Sequence, residues 1–188
     1  RTTEEPLRTL LDESRNRIQS IALIHEKLYQ SERLAWIDFG DYLKDLTTRL
    51  TRAIGAQSPQ TRISTQAENV FLDIERAIPC ALIVNELVSN ALKHAFPGGL
   101  SGEIRITACL VAPDLLELVV SDTGIGFPAE LDFRNTNTLG MKLVCSLTTQ
   151  LRGTVKLSRD GGTRFEIRFS VPPGKSPTLW DPDTARTG

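Results

Sequence analysis

From Ile83 to Phe96 the chain reads IVNELVSNALKHAF, with apolar residues at helical spacing. Its polar residues differ from the mixture of Lys and Glu that a solvated helix face usually carries. Glu86 and Asn90 stand at i and i+4, and Lys93 and His94 follow at i+7 and i+8 from Glu86, so all four share one stripe. Asparagine adds little to helix propensity, so Asn85 and Asn90 point to a chemical use. A carboxylate one turn from a carboxamide oxygen can hold a water and a hard cation side by side. Mg²⁺ takes few protein oxygens and keeps its other positions for water and phosphate. Lys93, one turn further, can meet a phosphate charge. The plainer alternative is a solvated face whose final Lys and His favour the helix dipole.

Two other stretches carry chemistry. SDTGIGFP follows the apolar run LLELVV, so Asp122 ends a strand and sits just before a Gly-x-Gly turn. A carboxylate fixed there can accept from an exocyclic amine, while Gly124 and Gly126 let the backbone approach a flat ring. The alternative is a loop turn with a cap-like Asp. The pattern is neither GxGxxG opening a helix nor a Walker loop. In TNTLGMKLV, Thr138 and Gly140 stand at a helix start, where free amides form an anion site; simple capping is the competing reading. Taken in order, the three describe one pocket with metal and phosphate groups, an adenine-sized floor and a phosphate-facing helix start.

These residues need elements to position them. A first helix is expected from Thr3, its N-cap, to about Gln30, with Pro6 in the first turn. Leu7, Leu11, Ser14, Ile18, Ile21, His25 and Leu28 form a heptad-like seam suited to a neighbouring helix or a dimer partner. A second helix is expected from about Asp41 to Ile54, stopped by Gly55. QTRISTQA and NVFLD read as short strands, and the striped helix follows from about Glu75 to His94, with Pro79 in its first turns. EIRITACLV and LLELVVSD are strands joined at APD. A loop from Thr123 to about Thr138 leads into a helix, LGMKLVCSLTTQL, capped by Gly153. GTVKLSR and TRFEIRFSV around DGG predict a terminal hairpin. Beyond Pro172 the Pro- and Gly-rich segment reads as a loose tail containing Trp180.

The whole composition sets bounds. In 188 residues, 40% are hydrophobic and 24% charged, and a net charge of -1 offers no electrostatic ground for nucleic-acid binding. Cys80, Cys109 and Cys145 have no CxxC spacing and read as buried reduced thiols of a cytoplasmic protein. The apolar runs are too short to span a bilayer. The chain opens on Arg1, which raises the expectation of an excised piece, with any membrane anchor in a missing region.

NELVSNALKHAF, DTGIGFP, TLGMKLV and GGTRFEIRF resemble the N, G1, G2 and terminal-strand boxes of the GHKL ATPases, and specifically the catalytic domain of bacterial sensor histidine kinases. The resemblance covers about Val70 to Val171. SRNRIQSIALIHEKLYQSE is similar to the second helix of the dimerisation hairpin in a subfamily whose acceptor box reads like HHRVKNNLQ. The resemblance implies ATP and Mg²⁺, with Asn90 on the metal and Glu86 as general base or water-holding residue. It places Lys93 and His94 at the phosphates, Asp122 at the adenine amine above Gly124 and Gly126, and Thr163 behind Asp122 through water. Thr138, Gly140 and their neighbours would hold the polyphosphate. The implied reaction transfers the γ-phosphoryl group to a histidine, for relay to a response regulator receiver domain by a kinase that dimerises through its N-terminal helices. Two departures stand out. Gly140 is the lone glycine of its box, and the loop from Phe127 to Thr138 implies a reduced ATP lid without a counted contact from Arg134. The acceptor box has no match in these residues and is expected upstream of Arg1; His25 reads as a packed seam residue.

The expected architecture is α+β, a two-layer α/β sandwich of the Bergerat ATP-binding type preceded by a helical dimerisation segment. Its strands lie near Arg62, Ile104, Leu118, Val155 and Phe165, and its helices near Val84 and Val144. Expected divisions are 1–35 for the dimerisation segment, 36–171 for the ATP-binding domain and 172–188 for the tail. Two other classes remain open: a GHKL ATPase or protein-serine kinase without a histidine acceptor, and a nucleotide-binding regulatory module.

Overall fold

The computed structural model describes residues 4–30, 36–54, 61–136 and 138–172. Helix α1 (Glu4–Gln30) is followed by β1 (Ile37–Asp38), α2 (Phe39–Ile54), β2 (Thr61–Gln66) and β3 (Phe71–Leu72). Then come α3 (Ile74–His94), β4 (Gly102–Ala112), β5 (Leu115–Asp122), α4 (Leu139–Gln150), β6 (Thr154–Ser158) and β7 (Thr163–Ser170). The main sheet runs β2-β4-β5-β7-β6, parallel between β2 and β4 and antiparallel elsewhere. This is the two-layer sandwich expected from the sequence, with all five strands where they were read.

The layers follow from side-chain alternation. Along β7, Phe165, Ile167 and Phe169 point inward and are buried. On the other face Arg168 bonds Glu117 at 2.7 Å and Glu166 at 3.0 Å, so that face carries half-buried charge pairs. Over the inner face lie α3, against β4 and β5, and α4, against β6. Helix α3 is buried almost continuously from Ala77 to Val88, which makes it the central strut of the core. Each large apolar side chain removed from water there contributes about 1.5–3 kcal/mol. Pro79 sits in its second turn and is buried, as its tolerated place near a helix start allows.

Several local expectations change. Helix α4 was expected to be capped by Gly153, but the left-handed residue is Arg152, at φ 52°. Gly153 donates its N–H to the Thr148 carbonyl at 2.9 Å, closing the helix end from one position further on. Glycine is still required there, because a Cβ would stand 2.6 Å from the Arg168 carbonyl oxygen. Of three thiols read as buried, only Cys80 is; Cys145 is half-buried and Cys109 exposed, and all three are free. Burial pushes the Cys80 and Cys145 thiols above their ordinary range. The two-residue pairing of β1 with β3 had no counterpart in the sequence reading.

Helix α1 packs on α3 and α2 through Ser20, Leu23 and Ile24, all buried. The expected seam lies elsewhere on the helix: Leu11 is 61% exposed and Ile18 67%, Ser14 and His25 are exposed, and Ile21 is half-buried. Among the described residues no helix covers Leu11 or Ile18 in the single chain, and the His25 imidazole faces solvent; the side chains of Leu7 and Leu28 lie outside those described. Thr3, Gly55 and the tail after Pro172 lie outside the described residues.

The start of α3 supplies a stability test. Asp73 caps it, its side chain accepting the Arg76 N–H at 3.0 Å and pairing with the Arg76 guanidinium. Asp73→Ala is expected to lower unfolding free energy by about 1–2 kcal/mol, and Asp73→Asn by less, since Asn also caps well. Urea midpoints at equal m-values check this.

Candidate functional site

The polar stripe on α3 is present and graded in depth. Asn85 and Glu86 are buried, Asn90 is half-buried, and Lys93 and His94 are exposed in the last turn. A buried carboxylate needs compensation. Glu86 receives it from Arg17 of α1, whose Nε donates to Oε1 at 2.6 Å and whose NH2 group donates to Oε2 at 2.9 Å. On its other side lies the start of α4. A Cβ on Gly140 would come within 2.7 Å of Glu86 Oε2 and 3.8 Å of Asn90 Nδ2. The structure therefore brings Glu86, Asn90 and Gly140 together, and α4 approaches this closely because residue 140 lacks a side chain.

Thr138 precedes α4 as its N-cap but makes no side-chain cap hydrogen bond. Its hydroxyl instead meets that of Thr136 at 2.7 Å, and Thr136 Oγ1 also accepts the Thr138 N–H at 3.0 Å. Simple side-chain capping by Thr138 is thus absent. The first turn of α4 lies against Glu86 and Asn90 at Gly140, and a helix start favours anions.

The other end of the stripe meets the loop after β5. Ile125 donates its N–H to the Ala95 carbonyl at 3.0 Å, directly past the last turn of α3. Gly124 lies against that same carbonyl so tightly that any Cβ would collide with it. Thr123 ties the loop to β4, donating its N–H to the Glu103 carbonyl at 3.0 Å and accepting the Glu103 N–H on its hydroxyl at 3.0 Å. Gly126 takes φ 84°, a left-handed conformation that favours glycine.

Asp122 is held at this junction. Its Oδ1 accepts the Gly124 N–H at 2.9 Å and the Thr163 N–H at 3.2 Å. Thr163 therefore supports the carboxylate directly through its main chain, where support through water was expected of it. Both bonds fall on Oδ1, and no donor among the described residues bonds Oδ2. Gly162, at φ 133°, packs on the Asp122 carbonyl where no side chain would fit. From Glu86 to Ala95 is about 13 Å along the helix axis, comparable with the reach from a purine to the end of a triphosphate chain.

The described part of the loop before α4 is pinned to β7 by aromatic rings. Phe133, in a 3-10 turn at Phe133–Asn135, packs edge-on against Phe165, and Phe127 meets Phe165 the same way. Arg134 lies over the Phe133 ring and donates to the Val155 carbonyl at 3.1 Å, turned toward β6. The sequence reading missed Arg17. Its one signal was position, since Arg17 lies at i−3 and i−7 from buried Ser20 and Ile24, on the packed face of α1.

Residues 75–173 match the family described as histidine kinase-, DNA gyrase B- and HSP90-like ATPases, and residues 1–54 match a family described as histidine kinase. This chain belongs to the histidine kinase-, DNA gyrase B- and HSP90-like ATPase family, whose members bind ATP, usually with Mg²⁺. It is 31% identical over 178 residues to a sensor histidine kinase, PdtaS, of Mycobacterium tuberculosis, an alignment covering 91% of this chain and 34% of that protein. It is 29% identical over 143 residues to blue-light-activated histidine kinase 2 of Erythrobacter litoralis, covering 76% of this chain and 40% of that one. The chain thus spans well under half the length of these relatives. A solved histidine kinase domain from an Erythrobacter litoralis blue-light-activated kinase superposes with TM-score 0.77 at 26% identity, over 92% of this chain and 85% of that chain. Among the described residues, no helix is long and apolar enough to cross a membrane.

The Gly124 contact generates the next prediction. Gly124→Ala is expected to cost about 1–3 kcal/mol of stability, because the loop or the end of α3 must shift to admit the methyl group. Chemical unfolding with an unchanged midpoint would contradict the close approach.

Proposed function

We propose that this chain is the ATP-binding catalytic core of a sensor histidine kinase. It would transfer the γ-phosphoryl group of ATP to a histidine, for relay to an aspartate on a response regulator receiver domain. The observation that carries the reading is Asp122, fixed through Oδ1 by two main-chain donors with Oδ2 left to accept an exocyclic amine. It stands past the last turn of α3, whose preceding turns carry Asn90 and Glu86 against Gly140 of α4.

The residues fit the family's ligands. Among the described residues no group of three or more His, Cys, Asp or Glu could hold a metal ion. A Mg²⁺ held mainly by phosphate and water needs no such group, and the Asn90 carboxamide oxygen suits one of its few protein positions. Bound MgATP supplies the transferable phosphoryl group. Asp122 orients the base, Gly124 and Gly126 let the backbone lie close to it, and the start of α4 with Thr138 and Gly140 receives the phosphates. Lys93 and His94 present positive or hydrogen-bonding groups along the same edge. Glu86 takes a proton from, or holds a water beside, the attacking group. Positioning and charge neutralisation supply most of the rate.

The proposed divisions are 1–35 for a dimerisation segment, 36–171 for the ATP-binding domain and 172–188 for a tail. The exposed apolar side chains of Leu11 and Ile18 support homodimerisation through the N-terminal helices. Neither His25 nor His94 stands in a match to the acceptor box, so the acceptor histidine is assigned to a segment beyond these 188 residues. The intracellular side is the proposed location, where ATP and receiver domains occur together.

Three measurements check this. Asp122→Asn should weaken ATP relative to GTP by roughly tenfold or more, matching the loss of a charged acceptor worth about 1.5–3 kcal/mol; equal selectivity in a folded variant removes Asp122 from the site. Asn90→Ala should abolish the Mg²⁺ enhancement of ATP binding seen by calorimetry. With radiolabelled ATP, this chain alone should acquire no acid-labile, base-stable label, whereas a protein extended upstream through the acceptor helix should. Label on the 188-residue chain that disappears in His25→Gln would make His25 the acceptor.

A further inference from the structure

Arg17 and Glu86 form a two-point ion pair between α1 and the striped helix, 69 residues apart in sequence. Their side chains are 15% and 7% exposed, so this is a largely desolvated contact and not a surface pair. The guanidinium meets the carboxylate side-on, through Nε and one terminal NH2 group, and covers both carboxylate oxygens. Behind Oε2 stands the start of α4, close enough that a Cβ added to Gly140 would come within 2.7 Å of it. A carboxylate enclosed on both sides cannot hold a metal-bound water or reach an attacking imidazole until one wall moves. Arg17 is the movable wall, since Gly140 belongs to the packed helix α4 with Met141 and Val144 in the core.

The core anchors of α1 lie on the C-terminal side of Arg17, so movement of the turns before them is what could free it. One turn on, Ser20, Leu23 and Ile24 anchor α1 in the core, and Lys27 pairs with Asp45 of α2 at 2.6 Å. On the other side of the same helix, Leu11 and Ile18 are exposed. A rotation or lift of α1 that covers that apolar stripe would draw on a different face from the one carrying Arg17.

We propose that Arg17 is a gate on the nucleotide site. Docked on Glu86, it withholds the carboxylate from the water shell of the phosphate-bound Mg²⁺, so that the guanidinium and the hydrated metal ion compete for one anionic group. Release of Arg17 by movement of α1 then opens the site, which couples the arrangement of the dimerisation helix to nucleotide engagement. This inference rests on the nucleotide reading given above. Competition between two cations for one carboxylate has a particular signature: the Mg²⁺-dependent part of ATP affinity is suppressed, and the Mg²⁺-independent part is not.

The test is isothermal titration calorimetry of ATP into the 188-residue chain, into Arg17→Gln and into Arg17→Lys, each with excess Mg²⁺ and with EDTA. Thermal melts establish that the variants fold. Arg17→Gln should bind MgATP roughly tenfold more tightly than wild type, within the ordinary range of coupling between sites, with affinity in EDTA changed by less than about twofold. Arg17→Lys, which keeps the charge but loses the fork, should fall between them. Equal Mg²⁺ enhancement in wild type and Arg17→Gln overturns the gate and leaves a structural ion pair. Weaker binding by Arg17→Gln in both conditions also overturns it, and makes Arg17 a direct phosphate ligand. Should no protein bind ATP in either condition, the nucleotide reading itself fails and the gate with it. If Arg17→Gln does not fold, Arg17→Lys decides by the same comparison.

Discussion

The close docking of the post-β5 loop on the end of α3 is the constraint on which the site depends. Ala95 offers its carbonyl to the Ile125 N–H, and Gly124 is the residue that lets the two backbones meet. This contact sets the distance between a sheet element carrying Asp122 and a helix carrying Glu86 and Asn90. Without it, Asp122 would end an ordinary strand and the α3 stripe an ordinary helix. Because α3 is also the central strut of the core, its stripe inherits the rigidity of the packed interior. A binding site built on a buried helix and a strand end needs little ordering when a ligand arrives.

The same helix explains why a buried charge is tolerated. Glu86 is 5% exposed, and burying a carboxylate this deeply is costly unless it is paired. Arg17 compensates it, so α1 is joined to the catalytic layer by an electrostatic tie as well as by apolar packing. Removing one member of such a pair costs more than the pair contributes net, because the other is left buried and unpaired. The tie is therefore suited to a contact that is exchanged for another cation, and poorly suited to one that is merely lost.

Much of this was legible in the residues. The alternation of β4, β5 and β7, the Asp-Gly turn before β7 and the polar stripe of α3 are local patterns, and each was found where it was read. What the sequence hid was non-local or carried by the main chain. The support of Asp122 by Thr163 runs through an N–H that any residue but proline has. Arg17 looked like one more solvated arginine on an amphipathic helix, because its partner lies on another element. The left-handed turn after α4 falls on Arg152, since Gly153 is needed instead for its close approach to the Arg168 carbonyl. The pairing of β1 with β3 is two residues long, too short for any periodicity. Cys109 faces outward because strand alternation, not thiol chemistry, sets its direction.

The central claim is that one nucleotide spans α3, with its base at Asp122 and its metal-bearing phosphates at Asn90. The direct measurement is a ¹⁵N-resolved NMR titration of the chain with a non-hydrolysable ATP analogue, first without Mg²⁺ and then with it. The account predicts that the amides of Gly124, Gly126 and Thr163 shift on nucleotide addition in both conditions, while the side-chain carboxamide of Asn90 shifts strongly only when Mg²⁺ is added. Shifts that leave the Asp122 loop unmoved, or an Asn90 carboxamide indifferent to Mg²⁺ at saturating nucleotide, would contradict it.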